Sequence, residues 1–479
     1  MPLLRHFLDF SHCLIFPALL SLSSISTAAS PPNIIFFLAD DQRDDALACY
    51  GNPIVQSPTI DRLAMQGTRF KNSFCEVPIC AASRASILTG VSQRTHGYNF
   101  LEDPVSKALV QQSYPALLKE AGYQIGVAGK LGVQFEGATM NSYLDFYHSI
   151  NRNPFIKTLA DGSKRHETDL CADSGITFIE SVPEGTPFCL SIGFNATHAE
   201  DGDRRPGFHF QWPESADGLY EDIEIPAPKL ASSEYYDQAP DFLKDKDQLN
   251  RKRYYWRWDT PEKYTANMRA YYRMVTGIDN AMTRVLEVLE QRGLADNTII
   301  IYSADNGLMM GDRGMAGKWN HYEQSLRVPL IIYDPRVPQE SRGNVVEHLV
   351  NNIDLTPTIV DLAELEIPEG YQGKSLTPFL KGQAPEQWRQ DTFVEHHFKL
   401  FENWHGVRSE RYKYAVYYDQ EKPYECLYDL KNDPNEKVNR AKSPEYEKQL
   451  EMMRQRLDHY LQRFPKRELE QKEPGKAEA

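Results

Sequence analysis

The sequence predicts an α/β fold, with a mostly parallel central sheet flanked by helices. Five short runs have strand character and are apolar on both faces: Asn33–Ala39 and residues 123–128, 188–194, 298–302 and 328–333. Strands of a sheet covered on both sides read this way. Helix-patterned stretches lie between them, and that alternation marks the α/β class. Residues 267–292 are the clearest helix, with apolar residues at helical spacing and Gly293 as its stop. The third observation is a polar cluster just beyond each of four strands. Asp40-Asp41 come after the first, Lys130 after the second, His198 after the third and Asp305-Asn306 after the fourth. Sites in open α/β sheets form at the carboxyl ends of strands, so these clusters are expected on one rim.

Composition narrows the class. The 479 residues carry 67 Asp+Glu against 53 Lys+Arg, a formal net charge of −14. With 41% hydrophobic and 25% charged residues, the chain reads as globular and excludes disorder, collagen or coiled coil as the overall class. The acidic balance argues against nucleic acid or an anionic membrane as the main partner. It leaves room for a small anionic substrate, because steering depends on the local field at a cleft.

Residues 1–29 read as a secretory signal. Arg5 and His6 make a basic start, residues 13–25 are mostly apolar, and small residues at 26–29 suit cleavage. The apolar run is shorter than the roughly 20 residues a span needs, so no stable membrane insertion is expected. The mature protein is expected in the periplasm or outside the cell. Six cysteines remain after processing, at 49, 75, 80, 171, 189 and 426. They are too sparse for a disulfide scaffold, and no C-x-x-C pair points to zinc. One or two disulfides are compatible with an oxidising compartment.

Residues 30–383 are expected as the catalytic domain, with 199–265, rich in Asp, Pro and aromatics, inserted over its rim. Short aromatic runs at 404–430 suggest antiparallel strands, and 444–464 reads as an amphipathic helix. Together they suggest a smaller C-terminal subdomain over 384–464. The charged tail at 465–479 reads as disordered.

Asp40, Asp41, Asp305 and Asn306 are hard oxygen donors, which suit Ca2+ or Mg2+ rather than zinc. Two adjacent aspartates at a strand end repel unless a cation sits between them. The segment from Cys80 to Gly90 reads C-A-A-S-R-A-S-I-L-T-G. A helix beginning near Ser83 places Cys80 at its positive end, an anion site, with Arg84 one turn on. A thiol there is a candidate nucleophile; a buried structural cysteine is the plainer reading.

That segment strongly resembles the signature of type I sulfatases, members of the alkaline phosphatase superfamily. L-A-D-D-Q-R at 38–43, A-D-N-G at 304–307, G-K-W-N-H-Y-E at 317–323 and L-Y-D-L-K-N-D-P-N-E at 427–436 agree with it. The resemblance spans nearly the whole mature chain and includes iduronate-sulfatase-like and arylsulfatase members. It implies an alkaline-phosphatase-like domain followed by a smaller one with an antiparallel sheet. It implies that Cys80 is oxidised to formylglycine (3-oxoalanine), whose hydrate attacks sulfur with one hydroxyl and uses the other to release sulfate. It implies one Ca2+ ion, held by Asp40, Asp41, Asp305, Asn306 and the modified residue 80. Arg84 matches the residue that orients the nucleophile, Lys130 a sulfate-binding lysine, and His198 the histidine facing sulfate and leaving oxygen. Lys318 matches the lysine that contacts sulfate and assists the leaving group. The expected substrate is a sulfated carbohydrate, an algal polysaccharide or glycosaminoglycan fragment. The alternatives are a phosphonate or phosphate ester hydrolase of the same superfamily, or an inactive sulfate-ester-binding protein.

Two departures from the family pattern stand out. Ala82 replaces the usual proline, which favours a radical-type maturase and a bacterial source. The histidine usual two residues after the first lysine is Gly132 here, and His198 or His321 is expected to cover part of its role. The sequon Asn195-Ala196-Thr197 abuts the rim and reads as chance. The run at 251–258 combines cations and aromatics; it can stack on a sugar and meet its anionic groups, but packing of the insertion is the favoured reading. His396 and His397 are placed where they can border the pocket.

Overall fold

The computed structural model describes residues 30–467 except 204, 206, 207 and 246. The expected signal at 1–29 lies outside the described residues, as do residues 468–479 of the expected tail.

The main sheet has eight strands: β1 (Asn33–Ala39), β2 (Thr68–Phe74), β3 (Gln124–Gly129), β4 (Phe146–His148), β5 (Phe188–Gly193), β6 (Thr298–Ala304), β7 (Leu330–Tyr333) and β8 (Asn344–Asn351). Their order is β8-β2-β7-β6-β1-β5-β3-β4. β1 lies at the centre and pairs in parallel with β5 and β6. Its alternation decides the layers. Ile35, Phe37 and Ala39 enter one apolar cluster and Ile34, Phe36 and Leu38 the other. The first face is covered by α1 (Pro58–Gln66), α4 (Glu167–Ser181) and α6 (Pro261–Gln291), the second by α2 (Cys80–Thr89), α3 (Tyr114–Glu120) and α7 (Leu355–Leu362). Between α4 and α6 lies α5 (Leu249–Arg257), within the segment read as an insertion.

Two expectations are corrected. The strand at 328–333 begins at Leu330 and runs antiparallel to both neighbours. Residues 305–329 between it and β6 hold only short elements and no long crossover helix, so the strand returns antiparallel beside β6. The helix expected from 267 starts six residues earlier, at Pro261. Thr260 caps it by accepting a bond from the Lys263 N–H at 3.3 Å, and proline suits the first helical position.

A second sheet is a four-stranded antiparallel meander: β9 (Asp391–His396), β10 (Trp404–Ser409), β11 (Tyr412–Tyr417) and β12 (Tyr424–Asp429). Helix α8 (Glu447–Arg463) lays Leu450, Met453 and Leu457 on Phe393, Val407, Tyr414 and Leu427. Buried charges fasten this sheet to the rim. Glu323 meets Arg327 at 2.7 Å, Lys413 at 3.2 Å and Arg408 at 3.3 Å, and Lys413 also pairs with Glu436. The tail is not free from its first residue. The Arg467 N–H donates to the Arg94 carbonyl (2.7 Å) and the Thr95 hydroxyl to that of Pro465 (2.8 Å).

A buried carboxyl pair makes a further tie. Glu76, just before α2, accepts from the Ser86 hydroxyl and the Gln93 N–H. Glu395 on β9 accepts from the Arg94 N–H at 2.6 Å. Glu76 Oε1 and Glu395 Oε2 are both buried without a hydrogen-bond partner, with His405 Nε2 3.6 Å from the latter. Burial, then the facing carboxylate, pushes Glu76 well above the usual range, and burial raises Glu395. A shared proton would satisfy both oxygens. Because the folded pKa values exceed the unfolded ones, this stability is present at low pH and lost as pH rises through the raised values. The thermal midpoint is expected to fall over that window, and Glu395→Gln, whose amide N–H replaces the proton, to flatten the fall. Equal slopes in a pH series of melting curves would refute proton sharing.

Candidate active site

The carboxyl ends of β6, β1, β5 and β3, four adjacent strands, carry the four expected clusters. Asp41 adopts a left-handed conformation (φ 60°), which turns the chain back after β1. Its N–H donates to Asp305 Oδ1 at 3.1 Å, and Asn306 Nδ2 donates to Asp41 Oδ1 at 2.7 Å. The carboxylates of Asp40, Asp41 and Asp305 lie within 4.8 Å of one another, all buried. Asp40 Oδ1 and Asn306 Oδ1 are buried without partners.

Cations surround these oxygens. Lys130 Nζ contacts Asp40, and Lys318 Nζ contacts Asp41. Lys130 is placed by two glycines. A side chain on Gly193 would collide with the Lys130 carbonyl, and one on Gly129, at φ 86°, would collide with the Gly193 carbonyl. Their absence lets the Lys130 N–H bond Gly193 O at 2.7 Å. Arg84, 2% exposed, donates through Nε to Asp305 Oδ2 and through Nη1 to the Lys130 carbonyl, both at 2.7 Å. Its Nη2 has no partner. Cys80 is the first residue of α2, not a residue preceding it, and is 5% exposed.

The charges act on one another. Burial alone would raise Asp40, but Lys130, His198, Lys318 and Arg84 draw it far below the carboxylate range. Burial and the Asp40 charge lift Asp305 to about 6. Burial opposes the charge on Lys318, yet Asp41, Cys80 and Asp40 hold it above the usual lysine value. His198 Nε2 lies 3.6 Å from Asp41 Oδ2, and burial depresses its pKa to about 4. At neutral pH it is an acceptor as well as a donor.

The structure separates His321 from this group. Its ring nitrogens meet the hydroxyls of Tyr417 (2.8 Å) and Tyr428 (3.2 Å), so it anchors the second sheet and does not replace the missing histidine. His396 is buried under Trp404 with Nδ1 3.1 Å from the Glu402 carbonyl, and His397 meets the Tyr418 hydroxyl. Asn195 Nδ2 is buried on the Ile150 carbonyl and Glu167, leaving no room for a glycan. The run at 251–258 divides. Trp258 is buried against Phe210 and Tyr264, whereas Arg253 and Arg257 converge on Asp201, three residues beyond His198. All six described cysteines are free thiols. No described helix is long and apolar enough to cross a membrane.

Sequence reasoning missed Asn352, Arg152 and Asp201. Asn352 Nδ2 donates to Ser83 Oγ at 2.7 Å, and that hydroxyl donates to the Asp305 carbonyl, joining α2 to the rim. Arg152 lies against His198, its Nη1 2.7 and 2.9 Å from the ring nitrogens.

Buried oxygen donors flanked by fixed cations, at the carboxyl rim of a mostly parallel sheet, define a hydrolase of anionic esters. The comparisons name the family. The sulfatase family model matches residues 32–365, and that of the N-sulphoglucosamine sulphohydrolase C-terminal region matches 311–463. The chain is 30% identical to an N-acetylglucosamine-6-O-sulfatase of Bacteroides thetaiotaomicron, covering 95% of this chain and 92% of that one. It is 28% identical to an arylsulfatase of Clostridium perfringens, covering 93% and 95%. Among solved structures, BT4656 in complex with its substrate D-glucosamine-2-N,6-O-disulfate superposes with a TM-score of 0.74 at 25% identity, over 92% of this chain and all of that one. A phosphonate monoester hydrolase of Agrobacterium radiobacter, at 22% identity and a TM-score of 0.73, shares the fold. The chain belongs to the sulfatase family of the alkaline phosphatase superfamily and is an enzyme of that family.

Proposed function

We propose that this sulfatase removes sulfate from a sulfated carbohydrate, with residue 80 as formylglycine beside one Ca2+ ion. The observation that carries this reading is the convergence of four oxygen-donor residues with Arg84, Lys130 and Lys318, while buried Cys80 lies within electrostatic reach of Lys318 and Arg84. The donor set fits a hard cation. Two oxygens, on Asp40 and Asn306, are buried and unpartnered, and carboxylate and amide oxygens are the ligands Ca2+ takes. Asp40, Asp41, Asp305 and Asn306 would hold the ion, with Mg2+ as the alternative occupant. Bound there, it would supply Lewis acidity toward a sulfate oxygen. As formylglycine, residue 80 would supply a hydrated aldehyde: one hydroxyl for sulfur, a second for sulfate release.

The other groups have assigned roles. Arg84, fixed by Asp305 and the Lys130 carbonyl, orients residue 80 through its remaining N–H groups. Lys130 and Lys318 turn from the aspartates to sulfate oxygens. Lys318 also gives a proton to the departing alkoxide, and neutral His198 faces that oxygen. Relatives named for N-acetylglucosamine 6-sulfate, ulvan and iduronate 2-sulfate support a sugar substrate. The pattern at 1–29 supports export to the periplasm or beyond, and Ala82 supports a radical-type maturase as partner.

Co-expression with such a maturase, followed by mass spectrometry of tryptic peptide 72–84, is expected to show residue 80 as formylglycine. A thiol with that partner and with the oxygen-dependent one overturns the reading. Chelation is expected to stop turnover of an aryl sulfate by the matured protein, and added Ca2+ to restore it.

A further inference from the structure

A second charge cluster, with no role assigned above, lies beside the first. Arg253 and Arg257 lie one turn apart on one face of α5. Both donate to Asp201, at 2.7 and 2.5 Å. Arg152, from the loop after β4, comes within 3.9 Å of the same carboxylate while resting on His198. Three guanidinium groups therefore share one carboxylate, in a chain whose net charge is −14. Arg253 is held from two sides. Asp201 bonds Nη2, and the Trp319 ring lies under the guanidinium, 5.1 Å from its centroid. Trp319 follows Lys318 directly and is stacked on Phe401 at 4.1 Å, so it cannot swing away. The Nε of Arg253 is buried without a partner. The charges of Asp41 and Cys80 act on Arg253, which sets it within electrostatic reach of the reacting centre.

A purely structural ion pair needs one cation per carboxylate. Here positive charge is in excess, pre-oriented, and left with a donor unused, a costly state unless a ligand completes it. Arg152, with 27% of its side chain exposed, is the accessible member. We propose that Arg253 and Arg152 form a second anion site, which takes a carboxylate or second sulfate on the same sugar chain as the scissile sulfate. Asp201 positions the two arginines. The proposal rests on the carbohydrate sulfatase reading and narrows it to substrates that carry two anionic groups. Displacing Arg152 from His198 would also couple filling of this site to the histidine that faces the leaving oxygen.

The test uses matured full-length enzyme and two substrate pairs, with 4-nitrophenyl sulfate as a reference lacking any second anion. One pair is glucosamine 6-sulfate with an N-acetyl or an N-sulfo group. The other is a sulfated uronate disaccharide and its carboxyl-reduced form. In at least one pair the doubly anionic member is expected to win by about ten- to a hundred-fold in kcat/KM, mostly through KM, as for charge-assisted hydrogen bonds. The pair that responds tells sulfate from carboxylate. Arg253→Gln is expected to collapse that preference, and Arg253→Lys to keep part of it. No preference in either pair, or an equal fall on both members in Arg253→Gln, overturns the second site; the wild-type comparison needs no variant to fold. Turnover of the aryl sulfate in those cases leaves the sulfatase reading standing. No turnover of any sulfate ester by formylglycine-bearing protein overturns both.

Discussion

Cys80→Ala, co-expressed with the maturase used for the wild type, is expected to lower aryl sulfate turnover by about 10⁴-fold or more, with the fold intact. The two halves of this expectation rest on different contacts. Helix α2 is held by residues further along it. Ser83 bonds the Asp305 carbonyl and Asn352, Ser86 bonds Glu76, and the Ile87 carbonyl accepts from Thr356. Alanine is the best helix former, so the change at the first helical position removes only a small buried sulfur, a loss of about 1 kcal/mol. The chemistry has no such reserve. Arg84 and Lys318 are charged cations with no nucleophilic lone pair, and burial leaves His198 neutral, with Nε2 3.6 Å from Asp41 Oδ2. An intact melting curve with lost turnover supports the assignment. Turnover within tenfold of wild type would place the nucleophile elsewhere.

The part of the site that was legible in the sequence is the part that the sheet itself imposes. Runs such as N-I-I-F-F-L-A are apolar on both faces because helices cover both, and the residue after such a strand lies on the rim. Hence Asp40, Asp41, Lys130, His198, Asp305 and Asn306 could be gathered from four distant segments. β2 and β8 escaped notice because T-R-F-K-N-S-F and N-V-V-E-H-L-V-N mix charge with apolar residues, as strands toward a sheet edge do. His321 departs from its expected place for a local reason. Trp319 adopts a left-handed conformation (φ 79°), and the turn sends Lys318 to Asp41 but His321 to the tyrosines of the second sheet. Sequence distance of three cannot reveal that reversal. Arg152, Asp201 and Arg253 come from separate loops and a helix, with no periodic pattern to join them. Only the tertiary fold brings them to one place. The run at 251–258 does not divide by residue type: Trp258 and Arg257 are buried while Tyr255 is exposed, because α5 turns only part of its surface to the protein interior.

Asp305→Ala is expected to damage stability and ion binding together. Both side-chain oxygens are in use: Oδ1 accepts from the Asp41 N–H and Oδ2 from Arg84 Nε. Truncation leaves Arg84, at 2% exposure, as a buried charge without its ion pair. Breaking a buried pair by removing one partner costs about 3–5 kcal/mol, most of it from the charge left behind. The backbone bonds of residue 305, from its N–H to Ala39 O and from Ser83 Oγ to its carbonyl, survive the change. The loss is therefore electrostatic rather than a rupture of β6, and denaturant unfolding should stay cooperative with a lower midpoint. Arg84→Met in the same background is expected to recover part of the stability, because it removes the stranded charge, while turnover stays lost. Calorimetry with Ca2+ completes the test, since one of the four donor residues is gone and affinity should fall by at least about tenfold, as for lost metal-shell groups. Wild-type stability in Asp305→Ala would show that Arg84 is neutralised by another group, and unchanged Ca2+ affinity would remove Asp305 from the ion's ligands.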